Sequence, residues 1–192
     1  MDYFHSKRTF QPEKGDLLIS EPYLPDPNFE RTVILICSHG TEGSFGFVLN
    51  KEANLRFDEA ILEAQGFEEK LYVGGPVQQD TLHFIHRSTD ETLGGQDIGG
   101  GLYWSGDYDR LMEMIKVGII DPTDFRFFVG YSGWDAGQLE EELEAKSWIV
   151  HKGANAKQIL DTDTKELWKV SMSELGGKFK MFANYPTDPK MN

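Results

Sequence analysis

The sequence predicts a single domain of the α/β or α+β class. Its 192 residues are a length at which one hydrophobic core remains efficient, and no internal repeat divides them. Short apolar segments of strand length alternate with segments that carry helical spacing. Hydrophobic residues make up 39% of the chain, including thirteen Phe and four Trp, so a core can form without metal or disulfide support.

The first half of the chain predicts mostly strands. Apolar and β-branched runs indicate strands at 16–20, 32–38, 44–50, 70–73 and 81–86. Three prolines between residues 22 and 27 exclude regular structure there, because each fixes φ and lacks an N–H donor. Two glycines in the five-residue link 39–43 are typical of a hairpin. Apolar spacing over 57–65 predicts a short helix that ends at Gly66.

The second half predicts three more strands and three more helices. The strands are expected at 102–104, 126–130 and 147–150, and the helices at 107–117, 135–146 and 164–175. Ser105 or Asp107 is the expected N-cap of the first helix, and Ser132 is the expected cap of the second. The glycine-rich segment 94–101 is expected to be a mobile loop.

These elements divide the chain into three parts. Residues 1–14 are polar and aperiodic, which predicts a flexible N-terminal segment. Residues 15–175 hold all the expected strands and helices and form the single domain. Residues 176–192 lack the apolar periodicity of a helix, so a mobile C-terminal tail is expected.

Charge and cysteine content limit the classes of function. The net charge of −13 repels phosphate backbones and anionic lipid surfaces, which disfavours direct nucleic-acid binding. The single cysteine, Cys37, cannot form an internal disulfide, and the N-terminus lacks the apolar core of a signal peptide. The most apolar run, 33–37, is far shorter than the roughly 20 residues of a membrane-spanning helix. We therefore expect a cytoplasmic protein with no membrane association.

Four blocks of the sequence carry a family resemblance. The first is Gly15-Asp16-Leu17-Leu18-Ile19 with Pro22, Leu24, Asp26, Phe29, Arg31, Thr32 and Val33, and the second is Cys37-Ser38-His39 with Gly43, Gly46, Val48, Asn50 and Lys51. The third is Gly74-Gly75-Pro76-Val77 with His86, and the fourth is Gly130-Tyr131-Ser132-Gly133-Trp134 with Gly137-Gln138-Leu139-Glu140 and Trp148. With these blocks in this order, the chain resembles the AlgH/YqgE family of bacterial proteins.

The resemblance covers roughly residues 15–175 and implies a fold. That fold is α+β, with a bifurcated mixed, mostly antiparallel β-sheet curled into a pseudo-barrel and flanked by helices. Members are described as transcriptional regulators without an established activity or agreed catalytic residues, so the resemblance implies no residue roles. One departure is Glu52, where the family commonly has Pro after the Asn-Lys pair.

A thiol and an imidazole lie close together in the sequence. Cys37 and His39 are two residues apart on an expected strand, so their side chains should share a face at roughly 6.5 to 7 Å between Cα atoms. A nucleophile and its base need contact at about 2.6 to 3.2 Å. A buried, inert cysteine is the principal interpretation, and a redox-responsive thiol or a thiol-based enzyme is the alternative.

Metal and cofactor motifs are missing from the sequence. His83 and His86 are three apart on an expected strand and therefore point to opposite faces, so they cannot chelate one ion together. Ser132 stands in a Gly-x-Ser-x-Trp sequence, whose last residue departs from the small residue that a hydrolase elbow requires. Neither glycine-rich segment has a phosphate-binding pattern. We predict no metal, no cofactor and no catalytic residue.

The function that we predict is binding or regulation. The family-matched loops at 22–31, 37–51, 74–77 and 131–138 are expected to converge on one surface. Its candidate residues are Asp26, Arg31, Cys37, His39, Asn50, Lys51, Gly75, Pro76, Trp134 and Gln138. The partner is an unidentified protein or small molecule. An enzyme or redox sensor that uses Cys37 with His39 is the alternative function.

Overall fold

A computed structural model describes residues 11–186. Within them, ten strands form the sheet: β1 (Leu17–Ser20), β2 (Val33–Gly40), β3 (Gly43–Val48), β4 (Glu52–Arg56), β5 (Lys70–Val73), β6 (Val77–His86), β7 (Gln96–Gly99), β8 (Leu102–Trp104), β9 (Phe125–Asp135) and β10 (Trp148–His151). Six helices flank it: α1 (Phe57–Ala60), α2 (Tyr108–Val117), α3 (Gln138–Glu144), α4 (Ala156–Asp161), α5 (Leu167–Glu174) and α6 (Gly177–Phe182). The α+β class is therefore confirmed.

The sheet branches at β9, its longest strand. Its main path runs β10-β1-β2-β3-β9-β6-β8-β7, with antiparallel neighbours throughout. Near its start β9 also pairs in parallel with β5, which in turn pairs with β4. Because the last residues of β9 pair with β3 and the first with β5, one strand belongs to two branches. The predicted bifurcated, mixed and mostly antiparallel sheet is confirmed.

The sheet curls round an inner core but is not closed. Buried side chains from eight strands, β1 to β3 and β5 to β9, form this apolar cluster, which α4, α5 and α6 cover. The two outermost strands of the main path, β10 and β7, do not pair with each other in the described chain. The pseudo-barrel that the resemblance implies is therefore an open, curled sheet.

Two smaller cores fill the outer side of the sheet. One packs Phe57 and Leu111, from α1 and α2, against Phe127 of β9. The other lies beneath α3, where Leu139 contacts Ile34 and its neighbours. Neighbouring side chains of β9 point to opposite sides, so Phe127 belongs to an outer core and Phe128 to the inner core. The alternation changes phase at Gly130, whose φ is +68°, and Trp134 therefore reaches the core beneath α3.

Several local predictions are confirmed. The strands at 33–40 and 43–48 form the expected hairpin, with a tighter turn than the glycine spacing suggests. Helix α2 begins after Asp107, whose side chain accepts a hydrogen bond from the Arg110 N–H at 2.8 Å, and it ends at left-handed Gly118. Within residues 11–186, none of the helices combines the length and apolar character needed to cross a bilayer.

Other local predictions are wrong. The segment 94–101 contains β7, which pairs with β8, so the glycines shape a hairpin rather than a loop. The helix expected at 57–65 splits at Ile61, whose backbone is extended. Helix α3 begins at Gln138, and Ser132 lies buried in β9, donating to the Gly74 carbonyl at 3.1 Å. A helix cap cannot lie inside a paired strand.

The C-terminal prediction needs a correction as well. Helix α6 occupies 177–182 of the segment expected to be a mobile tail, and Phe179 and Phe182 pack against the inner core. Two aromatic residues were enough to anchor a short helix that periodicity did not predict. Residues 187–192 and most of the predicted flexible segment 1–14 lie outside the described residues.

Candidate functional site

Two adjoining cavities lie where β3, β9 and α3 meet. The larger, the mouth cavity, encloses about 610 Å³ at the open end of the curled sheet. The smaller, the side cavity, encloses about 360 Å³ beside the loop that follows β1. Both are lined by Gly133, Trp134 and Gln138, so a single wall separates them. Openings of this kind in curled sheets are frequent ligand sites.

Aromatic rings and carboxylates dominate the mouth cavity. Its walls include Phe45, His83, Trp104 and Tyr131, and its rim carries Glu42 and Asp135. The Phe45 ring lies 4.7 Å from the Trp104 ring and 6.2 Å from the Tyr131 ring, centroid to centroid. None of the lining side chains that the structure describes is Lys or Arg. The cavity is therefore apolar inside and negative at its rim.

Two polar groups in the mouth cavity have distinctive surroundings. The His83 ring contacts the Thr81 hydroxyl at 3.0 Å through Nε2, and burial lowers the pKa of His83 below its usual value. The imidazole is thus neutral near neutral pH, adding no positive charge to the walls. Trp104 Nε1 is buried and lacks a hydrogen-bond partner within residues 11–186.

The side cavity unites four of the ten candidate residues. Asp26, Pro76, Trp134 and Gln138 all line it, although they come from three separate segments of the chain. Asp26 also organises its own loop, because its Oδ1 accepts the Asn28 N–H at 2.8 Å. Chain segments far apart in sequence therefore form one surface here.

Glu142 holds this wall together, and the sequence interpretation missed it. Its Oε2 accepts the indole N–H groups of Trp134 at 2.9 Å and Trp148 at 2.7 Å, while its Oε1 accepts the Gln138 amide at 3.0 Å. In the sequence it is one of the four glutamates of α3, and its neighbours hide its role. The i, i+4 spacing from Gln138 is the signal that points to it.

Asn50 and Lys51 shape the neighbouring loop. The Asn50 side chain accepts the Val33 N–H at 3.0 Å and donates to the Arg31 carbonyl at 2.9 Å. The Lys51 ammonium donates to the carbonyls of Pro27, at 2.9 Å, and Asn28. Burial lowers the pKa of Lys51, although the carboxylates of its loop act in the opposite direction. These two candidates position the loop rather than line a cavity.

Arg31 points away from both cavities. Its guanidinium lies 4.7 Å from the Trp168 ring and donates to the Tyr185 carbonyl at 2.7 Å. Its backbone has a positive φ of 46°, which is rare outside glycine. Arg31 therefore ties the loop after β1 to the C-terminal helices.

Gly75 is required by a close approach of two backbones. A Cβ there would lie 2.2 Å from the Tyr131 carbonyl carbon, and φ is +158°. The side chain of any other residue would push the loop after β5 away from β9. Gly75 thus sets the position of Pro76 and Val77 beside the cavities.

Cys37 and His39 do not share a strand face, contrary to prediction. The register between β2 and β3 shifts between Ile36 and Ser38, because a β-bulge inserts an extra residue there. Cys37 faces the inner core, is fully buried, and has its pKa raised by that burial. His39 faces the α3 side, because its ring approaches Glu140 of that helix. A Cys-His pair does not form.

His39 instead contacts a hydroxyl and a carboxylate. Its Nδ1 lies 2.7 Å from Ser44 Oγ, and its Nε2 lies 3.7 Å from Glu140 Oε1. Ser44 lines the mouth cavity, so a histidine and a serine meet at its wall. Proton transfer between these two groups is geometrically feasible.

A metal centre is not evident in the described part of the chain, where no three His, Cys, Asp or Glu residues come together as ligands. His83 and His86 lie on opposite faces of β6, as predicted: His83 contacts Phe47 of the inner core, and His86 stacks on Phe125. His86 Nε2 lies 3.0 Å from the Ser105 carbonyl.

Proteins of similar sequence span almost the whole chain. A protein of Cytophaga hutchinsonii named UPF0301 protein is 42% identical over 180 residues, covering 93% of this chain and 98% of the relative. A UPF0301 protein of Chlorobium limicola is 43% identical over 179 residues, with 93% and 95% coverage. These names state no activity.

Solved structures and a family model also match most of the chain. The solution structure of the AlgH protein from Pseudomonas aeruginosa matches with a TM-score of 0.68 at 28% identity, covering 90% of this chain and 94% of that one. A Corynebacterium diphtheriae crystal structure at 21% identity, with a TM-score of 0.72 over 91% and 93%, shares the fold. The family model described as AlgH-like matches residues 17–180. The chain therefore belongs to the AlgH-like family.

Proposed function

We propose that this protein binds an organic cation in the mouth cavity. The observation that carries the proposal is the combination of four aromatic side chains inside the cavity with two carboxylates at its rim. Aromatic faces attract ammonium groups through the ring quadrupole, and cages of such rings bind quaternary ammonium ligands. A cation with apolar substituents satisfies both the interior and the rim.

The electrostatics of the whole chain support this ligand class. A net charge of −13 raises the local concentration of cations near the surface and repels anions. The neutral form of His83 leaves the cavity without an opposing positive charge. Anionic ligands such as nucleotides would need a basic group among the lining residues.

Binding of this kind is consistent with a regulatory role that operates without direct DNA contact. We expect the protein to act in the cytosol, with ligand occupancy controlling its interaction with an unidentified partner. The loops around the cavity lie on a rigid sheet, where binding residues are commonly placed. Neither catalysis by Cys37 nor a cofactor enters this proposal.

Calorimetric titration with a pair of isosteric ligands tests the proposal. Choline and 3,3-dimethylbutan-1-ol have the same shape, but only choline carries a charge. We expect choline to bind about tenfold more tightly, because a cation–π contact contributes up to about 2 kcal/mol. Equal affinity for the two compounds, or no binding of either, would contradict cation recognition.

Charge variants locate the binding site. Glu42→Gln and Asp135→Asn should each weaken choline binding, since both remove a carboxylate from the rim of the mouth cavity. Glu91→Gln serves as the matched control, because Glu91 is an exposed acid outside both cavities. A loss of affinity as large in the control would show that only the overall charge matters.

Acyl hydrolysis at Ser44 is a second candidate function, favoured by the 2.7 Å contact with His39. Ser44 Oγ would attack a carbonyl carbon and pass its proton to His39 Nδ1, which would protonate the leaving group; water would then release the acyl group. A fluorophosphonate probe should label the wild type and the Ser173→Ala control, but not Ser44→Ala. An unlabelled wild type would remove this candidate.

A further inference from the structure

The side cavity repeats the chemistry of the mouth cavity. Phe29, Trp134 and Trp148 supply its aromatic rings, and Asp26 and Glu142 supply its carboxylates. As in the mouth cavity, no Lys or Arg belongs to its lining within the described chain. Each cavity therefore offers the same combination of aromatic surface and negative charge.

Glu142 retains capacity for one more donor. A carboxylate accepts about four hydrogen bonds. Two indole N–H groups occupy its Oε2, and the Gln138 amide occupies one position on Oε1. An ammonium group in the side cavity would complete this set, with Asp26 as a second counter-charge on the same wall.

Gly133 lies between the two cavities, and the space above its backbone is called the saddle. Gly133 is exposed, lines both of them, and carries no side chain above the strand. A Cβ built there would lie 3.4 Å from the Tyr131 ring and 4.0 Å from the Val77 side chain. A side chain at this position would therefore occupy the space beside Tyr131 and Val77, which glycine leaves free.

We infer that the two cavities form one continuous site for a linear aliphatic diamine or longer oligoamine. One ammonium lies among the aromatic rings of the mouth cavity, the methylene chain crosses Gly133, and a second ammonium lies between Asp26 and Glu142. This inference rests on the proposed function, because it requires cation binding in the mouth cavity. The slim methylene chain matches the saddle, and the separated charges match the two acidic walls.

Calorimetry with matched amines tests the inference on the full chain. 1,6-Diaminohexane is compared with hexylamine, which has the same methylene chain and one ammonium. We expect the diamine to bind at least about tenfold more tightly, since its second cation contacts a second aromatic and acidic cavity. Equal affinities would overturn the inference. If choline still bound, the proposed cation binding in the mouth cavity would hold, and only its extension to the side cavity would fail.

Two variants place the second ammonium. Gly133→Val fills the saddle with a side chain suited to a strand, and Asp26→Asn removes a counter-charge from the side cavity. Both should reduce the ratio of diamine to monoamine affinity to about one. Asp80→Asn, an exposed acid outside both cavities, should leave the ratio unchanged.

Certain results with these variants would contradict the inference. A ratio that survives in both Gly133→Val and Asp26→Asn would show that the second ammonium lies elsewhere. Circular dichroism verifies that Gly133→Val is folded, and Asp26→Asn supplies an independent result if it is not. A lysine-rich peptide that binds while every free diamine fails would also overturn the inference, in favour of a polypeptide ligand.

Discussion

At the scale of single residues, Glu142 joins helix α3 to two strands through one carboxylate. The indole N–H groups of Trp134, in β9, and Trp148, in β10, both donate to it, and each of these tryptophans is at most 6% exposed. A buried donor that loses its acceptor keeps the full cost of desolvation. The wall of the side cavity therefore depends on a residue in the middle of an otherwise acidic helix.

Replacing Glu142 by Ala should destabilise the protein by about 2 kcal/mol or more, because it leaves two buried indole donors without an acceptor. Urea denaturation followed by tryptophan fluorescence measures the change in the free energy of unfolding. Glu141→Ala, an exposed neighbour on the same helix, is the control and should change stability little. Equal stability of the two variants would contradict the role assigned to Glu142.

Cys37 is a second residue whose surroundings determine its chemistry. Burial raises the pKa of its thiol, so the folded protein keeps it protonated where an unfolded chain would ionise it above about pH 8.5. The folded state then binds more protons than the unfolded state, so stability falls as pH rises through this range. Cys37→Ala should show a shallower alkaline decrease in unfolding free energy than the wild type.

The same burial makes the native thiol unreactive. We expect alkylation of Cys37 in the folded protein to proceed only as fast as the chain opens, and to become rapid in denaturant. A thiol assay with and without guanidinium chloride measures both rates. Rapid stoichiometric labelling of the native protein would show an accessible thiolate and restore the thiol-based alternative.

At the scale of elements, β9 determines where the cavities form. Its last residues pair with β3, and its side chains contribute to all three cores. The loop after β5 packs directly on it, because Gly75 lets the two backbones approach. The position of both cavities therefore follows from one strand and one glycine.

Substituting Gly75 by Ala should cost about 3 kcal/mol, since the new methyl group would collide with the Tyr131 backbone, which cannot move away. Thermal denaturation measures the effect, and Pro76→Ala, an exposed neighbour, is the control. Choline affinity should fall as well, because Tyr131 lines the mouth cavity. A Gly75→Ala protein as stable as the control would refute the close approach.

Local signals predicted some elements and missed others for physical reasons. The β2–β3 hairpin and α2 have strong signals of their own: apolar and β-branched runs joined by a link with two glycines in one case, and Asp107 with Gly118 in the other. The bulge at Cys37 has no such signal, because it depends on the pairing of β2 with β3. Because the bulge adds one residue to β2, the side chains of Cys37 and His39 point to opposite faces of the strand.

At the scale of the whole molecule, the family-matched blocks divide into two groups. Asp26, Pro76, Trp134 and Gln138 line the side cavity. Of the other candidates, His39 contacts Ser44 at the mouth cavity, Cys37 belongs to the inner core, and the rest fix loops. The sequence alone could not separate these groups, since turn glycines and loop-fixing side chains occur in the same blocks as cavity residues. The aromatic interior of the mouth cavity arises from strands that meet only after folding.

The acidic charge of the molecule predicts weak interaction with DNA. We expect fluorescence anisotropy of a labelled duplex to stay flat as protein is added, even at low ionic strength, because the net charge repels phosphates. Binding that weakens steeply with added salt would instead reveal a basic surface and support direct transcriptional control.

Cation recognition by the mouth cavity is the central claim, and NMR chemical-shift mapping tests it most directly. Benzyltrimethylammonium is titrated into ¹⁵N-labelled protein. The predicted result is that saturable shifts concentrate on backbone amides of 43–45 and 131–135, with little change in α2, which lines neither cavity. Shifts confined to other regions, or none at all, would contradict the claim.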